Sequence, residues 1–361
     1  MVKIILIGAG HRGRKIYGEH ILRNRHKAKI VAVAEINQDR REMLAKQHSI
    51  SEDMQFSSWQ ELIKKEVAAD AVIIATGDKE HFEPTIAFLK KGYHILCEKP
   101  MASNPKECLE MQRVAEECGR ILAISHVLRY TPFYRSVKEL LDAGQVGRVI
   151  SVQYNENVGI DSFVHGYVRG IWRNTELAAP MILAKCCHDT DIISWLLGKP
   201  YKKVYSAGSL SFFNRQNAPK GCAERCTDGC VYEKDCQFSA IKAYVTNMLN
   251  KDVSVHDEWA KSIAFVIGAG EDTSAEGRIK ALETGDFGKC AFLCDNNVVD
   301  HQVAVFEMED DIPVVFTMCG LTKYTCRTFK IMGTAGELNC NMLENRIEFR
   351  GYNGDKKIIQ P

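Results

Sequence analysis

The stretch VKIILIGAGHRG at residues 2–13 restricts the fold more than any other part of the chain. Residues 2–8 are an apolar run of strand type. Gly8, Gly10 and Gly13 follow at the spacing G-x-G-x-x-G, and an amphipathic stretch follows them. In this context each glycine has a physical task. Gly8 permits a tight turn, Gly10 lets the backbone approach a pyrophosphate, and Gly13 lets a helix pack close to the strand. His11 and Arg12 begin that helix, whose unpaired N–H groups suit phosphate oxygens. A lone fingerprint of this kind says little, but one that opens a βαβ series says much.

The series is present. KIVAVAE (29–35), DAVIIAT (70–76), YHILCEK (93–99) and RILAISH (120–126) read as further strands, with helices over 12–24, 38–48, 83–91 and 104–118 between them. Short apolar runs alternating with helices predict a doubly wound parallel sheet, covered on both faces, and so an α/β dinucleotide-binding Rossmann domain over 1–125. After Tyr130 the pattern changes. A helix over 132–143 leads to GQVGRVISVQYNENV, then to KKVYSAGSL, DHQVAVFEME, PVVFTMCG, TFKIMGTAG and RIEFRGY. These runs alternate and are separated by turn residues. They predict an α+β domain over 126–361 with a large, mostly antiparallel open sheet.

Glu35 ends the second strand, near the offset at which an acid meets a ribose 2′-hydroxyl. A carboxylate there repels a 2′-phosphate, which favours NAD. Arg12, placed to reach such a phosphate, keeps NADP as the alternative. The formal net charge is +1 in 361 residues, so no basic field recommends nucleic acid or an anionic membrane as a partner. No run approaches the length of a membrane span, and the opening strand is not a signal peptide. The expected location is the cytoplasm.

Lys99, in Glu98-Lys99-Pro100, lies at the carboxyl end of a parallel strand, where it can donate to a substrate oxygen. A surface lysine is the plainer alternative. AKCCHDTDIISWLLG (184–198) raises a different question. Its thiols, imidazole and carboxylates resemble a metal site, but adjacent helical residues point in different directions, so a metal on Cys186, Cys187 and His188 is disfavoured and core packing of the two thiols preferred.

GAGHRG, ATGDKEH (75–81), CEKPMA (97–102), HVLRYTP (126–132), GQVGRV (144–149), HDTDIISWLLG (188–198) and GTAGEL (333–338) occur in this order. As a set they closely resemble the Gfo/Idh/MocA family of nicotinamide-dependent oxidoreductases, over nearly the whole chain. The resemblance implies hydride transfer between nicotinamide and a secondary alcohol of a sugar, polyol or sugar derivative, in a homodimer or homotetramer. It implies that Lys99 sits beside the reacting carbinol, that His188 is the acid/base, and that Asp191, one helical turn on, orients it. It places Thr76, Asp78 and His81 with Glu98 and Lys99 on the cofactor side, and Arg129 and Tyr130 at the domain junction. Trp172 and Arg173 become candidates for a loop over the substrate, with core packing the equal alternative for Trp172. One position departs from inositol dehydrogenase: Ala184 stands where an Asp is common. Lys185, three before His188, is then expected on the same helix face as a substrate ligand. Two rivals share the fold: a glycoside hydrolase that recycles bound NAD, and a non-catalytic sensor.

Cys222, Cys226, Cys230 and Cys236 stand within GCAERCTDGCVYEKDC. Free thiols in a polar loop are the plainer reading, and a small zinc-stapled insertion is the alternative. Cys290 and Cys294 form a separate, weaker pair of core type.

Overall fold

The computed structural model describes residues 1–247, 263–270 and 272–361. The chain divides into two units, Met1–His126 and Val127–Pro361.

In the first unit, β1 (Val2–Ile7), β2 (Ala28–Ala34), β3 (Gln55–Phe56), β4 (Ala71–Ile74), β5 (His94–Cys97) and β6 (Leu122–Ile124) form one parallel sheet in the order β3-β2-β1-β4-β5-β6. The strands are apolar throughout because both faces are covered. Ile5 and Ile7 enter one core cluster while Ile4 and Leu6, on the opposite face of the same strand, enter another. Local chemistry sets the helix starts. Asn37 caps Gln38–His48 by accepting from Arg40 N–H, and Asn104 caps Pro105–Glu117 by accepting from Glu107 N–H. The first helix departs from expectation: His11–Gly18 winds as a π-helix and only Glu19–Arg23 is α-helical. The two-residue strand β3 carries too little pattern to be read from sequence.

In the second unit, β7 (Val149–Gly159), β8 (Tyr201–Ser209), β9 (His301–Met308), β10 (Pro313–Thr322), β11 (Cys326–Gly333), β12 (Gly336–Asn341), β13 (Arg346–Gly351) and β14 (Lys356–Ile359) form an eight-stranded sheet in the order β14-β13-β12-β11-β7-β10-β9-β8. Only the β10–β7 pair is parallel. Sequence reading misses β12 and β14. One face is covered: Phe316, Tyr154 and Phe329 lie side by side on β10, β7 and β11, with the rings of Tyr154 and Phe329 stacked at 5.1 Å. Those three are buried in a core built with the helix Pro132–Asp142 and the helix Cys187–Leu197. On the other face Tyr205, Val305 and Val315 form an exposed row. The helix expected to carry Lys185, His188 and Asp191 on one face is broken. Met181–Ala184 is one short helix, Lys185 and Cys186 form a turn, and the second helix begins at Cys187.

Candidate functional site

Each unit holds its own set of site residues. In the first, the carboxyl ends of β1, β2 and β4 open a cleft of about 780 Å³ lined by Gly8, Gly10, Glu35, Ile36, Arg40, Ala75 and Thr76 among others. This is the rim where open parallel sheets bind ligands, and the volume suits a dinucleotide. The glycines divide by role. Gly8 has φ +88°, and a Cβ there would stand 2.5 Å from Ala75 O. A Cβ on Gly13 would stand 1.9 Å from Gly8 O, whereas one on Gly10 meets nothing within 4 Å. Gly8 and Gly13 are therefore required by the fold itself, and Gly10 faces open space of the kind a pyrophosphate needs.

Glu35 is buried, and its carboxylate is tied to the backbone. Oε2 accepts from Ala9 N–H at 2.6 Å and Oε1 from Asn37 N–H at 3.0 Å. The acid expected to meet the ribose thus also fixes the glycine turn. Arg40 lines the same cleft and was missed in the sequence. Its signal was its place at the start of the helix after Glu35. Arg12, expected near a 2′-phosphate, goes elsewhere. Its Nε donates to Glu98 Oε1 at 2.6 Å, and its guanidinium lies over the Tyr17 ring. His11 is exposed at the start of the helix.

Glu98 is a hub rather than a surface acid. Tyr17 Oη donates to Oε1 at 2.5 Å, and Lys99 N–H donates to Oε2 at 3.2 Å. Ser125 is 2.8 Å from Tyr17 Oη. Burial alone would raise the Glu98 carboxyl, but donation from Tyr17 and Arg12 outweighs it and holds the group below its ordinary range. Burial and Glu98 push the Tyr17 hydroxyl up. This network joins the glycine-turn helix to the ends of β5 and β6 and fixes the backbone of Lys99. The Lys99–Pro100 peptide is cis.

His81 does not line the cleft. It is 1% exposed, with Nδ1 2.7 Å from Pro100 O and Nε2 3.3 Å from Thr76 O, so it braces the wall from behind. Thr76 is in the wall, its hydroxyl donating to Glu80 O at 3.2 Å. Asp78 is buried in the turn after it.

In the second unit His188 is half-buried in the first turn of the helix Cys187–Leu197. Asp191, expected to orient it, gives both carboxylate oxygens to Arg129. Nε of Arg129 donates to Oδ2 at 2.7 Å, and the guanidinium lies over Trp195. Arg129 is held above its ordinary pKa by that carboxylate. Lys185 is in the turn before the helix, not on its face, because its ammonium is drawn to Glu156 Oε1 at 3.4 Å. Cys186 and Cys187 are buried.

Glu156, Asp189 and Arg327 were all missed. Arg327 Nε donates to Asp189 Oδ1 at 2.6 Å and also lies 2.8 Å from Glu156 Oε2, and both carboxylates are fully buried. Neither Glu156 oxygen has an aligned hydrogen bond, so ion pairing alone holds it. Burial, reinforced by Asp189, pushes its carboxyl up to about 7 against the opposing pull of Arg327 and Lys185. The signal was present in the strand alternation. Glu156 continues the inward series Val152, Tyr154, Glu156, Val158, and its register partner Arg327 continues Arg327, Phe329, Ile331.

Arg173 is not available as a substrate ligand. It is buried, with Nε donating to Asp295 Oδ1 at 2.6 Å and a second ion pair to Asp286. Trp172 packs on Tyr167 at the edge of the core. Both belong to a tight 3₁₀ turn, Ile171–Arg173, rather than an open loop.

Residues 2–126 match the family model described as the oxidoreductase family with the NAD-binding Rossmann fold, and residues 134–228 match the GFO/IDH/MocA C-terminal domain. The chain belongs to the Gfo/Idh/MocA oxidoreductase family. Its curated relatives in that family include a 1,5-anhydro-D-fructose reductase of Ensifer adhaerens, 32% identical over 36% of this chain and 38% of that protein. Another is the D-glucoside 3-dehydrogenase of Escherichia coli K12, 25% identical over 62% of this chain and 61% of that protein. The matches therefore span less than two thirds of either relative. An inositol dehydrogenase homolog from Azotobacter vinelandii, solved with NAD+, aligns with a TM-score of 0.68 at 13% identity, over 99% of this chain and 76% of that one. That likeness shows the Gfo/Idh/MocA fold.

Proposed function

We propose that this Gfo/Idh/MocA protein is an NAD-dependent dehydrogenase acting on a secondary alcohol of a sugar, polyol or sugar derivative. The observation that carries the reading is the first-unit cleft, where open space at Gly10 adjoins the buried Glu35 carboxylate. Nicotinamide, when bound, supplies the hydride acceptor or donor. Gly10 admits the pyrophosphate to a turn that Gly8 and Gly13 make possible, and Glu35 holds the ribose while disfavouring a 2′-phosphate. Arg40 in the same cleft keeps NADP as the second choice.

Lys99 donates to the substrate oxygen and stabilises charge on it, with the Glu98 network fixing its backbone. His188 takes or returns the hydroxyl proton, a task suited to imidazole at neutral pH. Lys185, its ammonium partly exposed beside Glu156, is the second-unit cation for substrate hydroxyls. The relatives named for anhydrofructose reduction and glucoside dehydrogenation support a carbohydrate substrate.

The exposed row of Tyr205, Val305 and Val315 supports a homodimer or homotetramer built on the outer sheet face. Among the described residues no helix is long and apolar enough to cross a membrane. A cytoplasmic location accords with the cofactor.

The test is nicotinamide absorbance over time with sugars, polyols and sugar acids, using NAD and NADP in parallel. Net reduction with one substrate class is expected. Cofactor binding without net turnover on any of them would overturn the dehydrogenase reading in favour of a redox-recycling hydrolase or a sensor.

A further inference from the structure

Residues 214–238 contain no buried residue. Their only regular element is the single turn Arg215–Asn217. So little apolar burial gives a 25-residue stretch little to hold one conformation. Yet Cys222, Cys226, Cys230 and Cys236 all line one small cavity, and Cys290 joins them from a distant part of the chain. None of the five is in the buried class, and only Cys226 and Cys290 pack at the edge of a core cluster.

The backbone pins two of these cysteines together. Cys226 N–H donates to Gly288 O at 2.9 Å, Cys290 N–H donates to Glu224 O at 2.8 Å, and Arg225 pairs antiparallel with Lys289 between them. Cys222 and Cys290 face the same cavity. Cys226 Sγ accepts from Ala240 N–H at 3.3 Å and from the buried Arg169 guanidinium at 3.8 Å.

We propose that four of these five sulfurs, Cys226 and Cys290 among them, bind one zinc ion that staples the 214–238 insertion to the segment around Cys290. The cavity is about 20 Å³, room for a single atom-sized occupant. Zinc takes four thiolates tetrahedrally without redox chemistry. Among the described residues no three His, Cys, Asp or Glu side chains already stand as a ready ligand set. The sulfurs therefore close inward when the ion binds, so that metal binding is coupled to ordering of the insertion. This includes Cys290, which the sequence places in a separate pair.

The test uses the full chain, made in medium containing zinc and iron and purified without chelator. About one equivalent of zinc is expected, with four thiols that alkylate only after a chelator is added. Cobalt(II) in place of zinc should give thiolate charge-transfer absorption and tetrahedral ligand-field bands. Cys226→Ser should lose the metal and expose 214–238 to limited proteolysis while nicotinamide binding persists. If that variant does not fold, the chelator-dependent alkylation of the unaltered protein still decides. Less than about a tenth of an equivalent of metal with all five thiols freely alkylated would overturn the proposal. Disulfides among these cysteines, or iron with acid-labile sulfide, would overturn it too.

Discussion

Lys185 Nζ stands 3.4 Å from Oε1 of Glu156, a carboxylate with no solvent exposure. The pair sits in the second unit, next to the Arg327–Asp189 pair. Two cations thus face two buried anions, an arrangement whose ionised form is costly unless all four partners are kept. Because burial and Asp189 raise the Glu156 carboxyl to about 7, the folded protein holds a proton there that the unfolded chain has already released. The stability linked to that proton is fully present below the ordinary carboxylate range and is lost as pH rises through about 7. Between pH 5 and pH 8 the unfolding free energy should move against the unaltered protein, relative to Glu156→Gln, by on the order of 2 kcal/mol. Denaturant melts of both proteins at the two pH values measure it. A gap that does not change with pH would mean that Glu156 titrates as an ordinary carboxylate.

Lys99 is fixed through its own N–H on Glu98, and Glu98 through Tyr17 and Arg12. Lys99→Ala should therefore leave the cleft intact, with NAD affinity within a few-fold of the unaltered protein. Turnover should fall by about two orders of magnitude or more under the role proposed for Lys99 at the reacting oxygen. Steady-state kinetics beside a nicotinamide binding titration separates the two effects. Unchanged turnover would remove Lys99 from the chemistry.

Glu35 and Arg40 line the same cleft with opposite charges. Glu35→Ser removes the carboxylate that repels a 2′-phosphate and leaves the Arg40 cation in place. The ratio of kcat/KM for NADP over NAD should rise at least about tenfold, given the strength of charge-assisted contacts to phosphate. Adding Arg40→Ala should cancel the rise. Glu35→Ser should also lower stability by roughly 1–3 kcal/mol, because Ala9 N–H loses a buried acceptor. A ratio unmoved by either change would place the 2′-position away from both residues.

The parallel sheet was legible because its strands are buried on both faces and read as continuous apolar runs. The glycine turn was legible because steric demands at Gly8 and Gly13 leave no other residue. Less of the second unit could be read. In β12, GELNCN buries Gly336, Leu338 and Cys340, but the glycine has no side chain and the polar residues between them hide the alternation. The break at Lys185–Cys186 has no local signal. There Lys185 pairs with Glu156, which reaches it from β7. Asp191 keeps its place one turn after His188, but its carboxylate pairs with Arg129, a partner helical spacing does not reveal. Arg173 looked like a loop residue because Asp286 and Asp295, its partners, lie more than a hundred residues away.

The fingerprint glycines separate fold from function. At Gly13 a Cβ would stand 1.9 Å from the carbonyl oxygen of Gly8, a backbone atom that cannot swing aside. Gly13→Ala must push the helix away from β1 and should lower the melting temperature as well as abolish nicotinamide binding. At Gly10 an added Cβ meets no protein atom within 4 Å. Gly10→Ala should melt within a degree or two of the unaltered protein, since no packing is disturbed. It should nonetheless weaken nicotinamide binding by about tenfold or more, because the methyl occupies the approach of the pyrophosphate to the backbone. Thermal melts and cofactor titrations on the two variants distinguish these effects. Equal cofactor affinity in Gly10→Ala would mean that the pyrophosphate does not pass over this turn, and would undo the cofactor assignment with it.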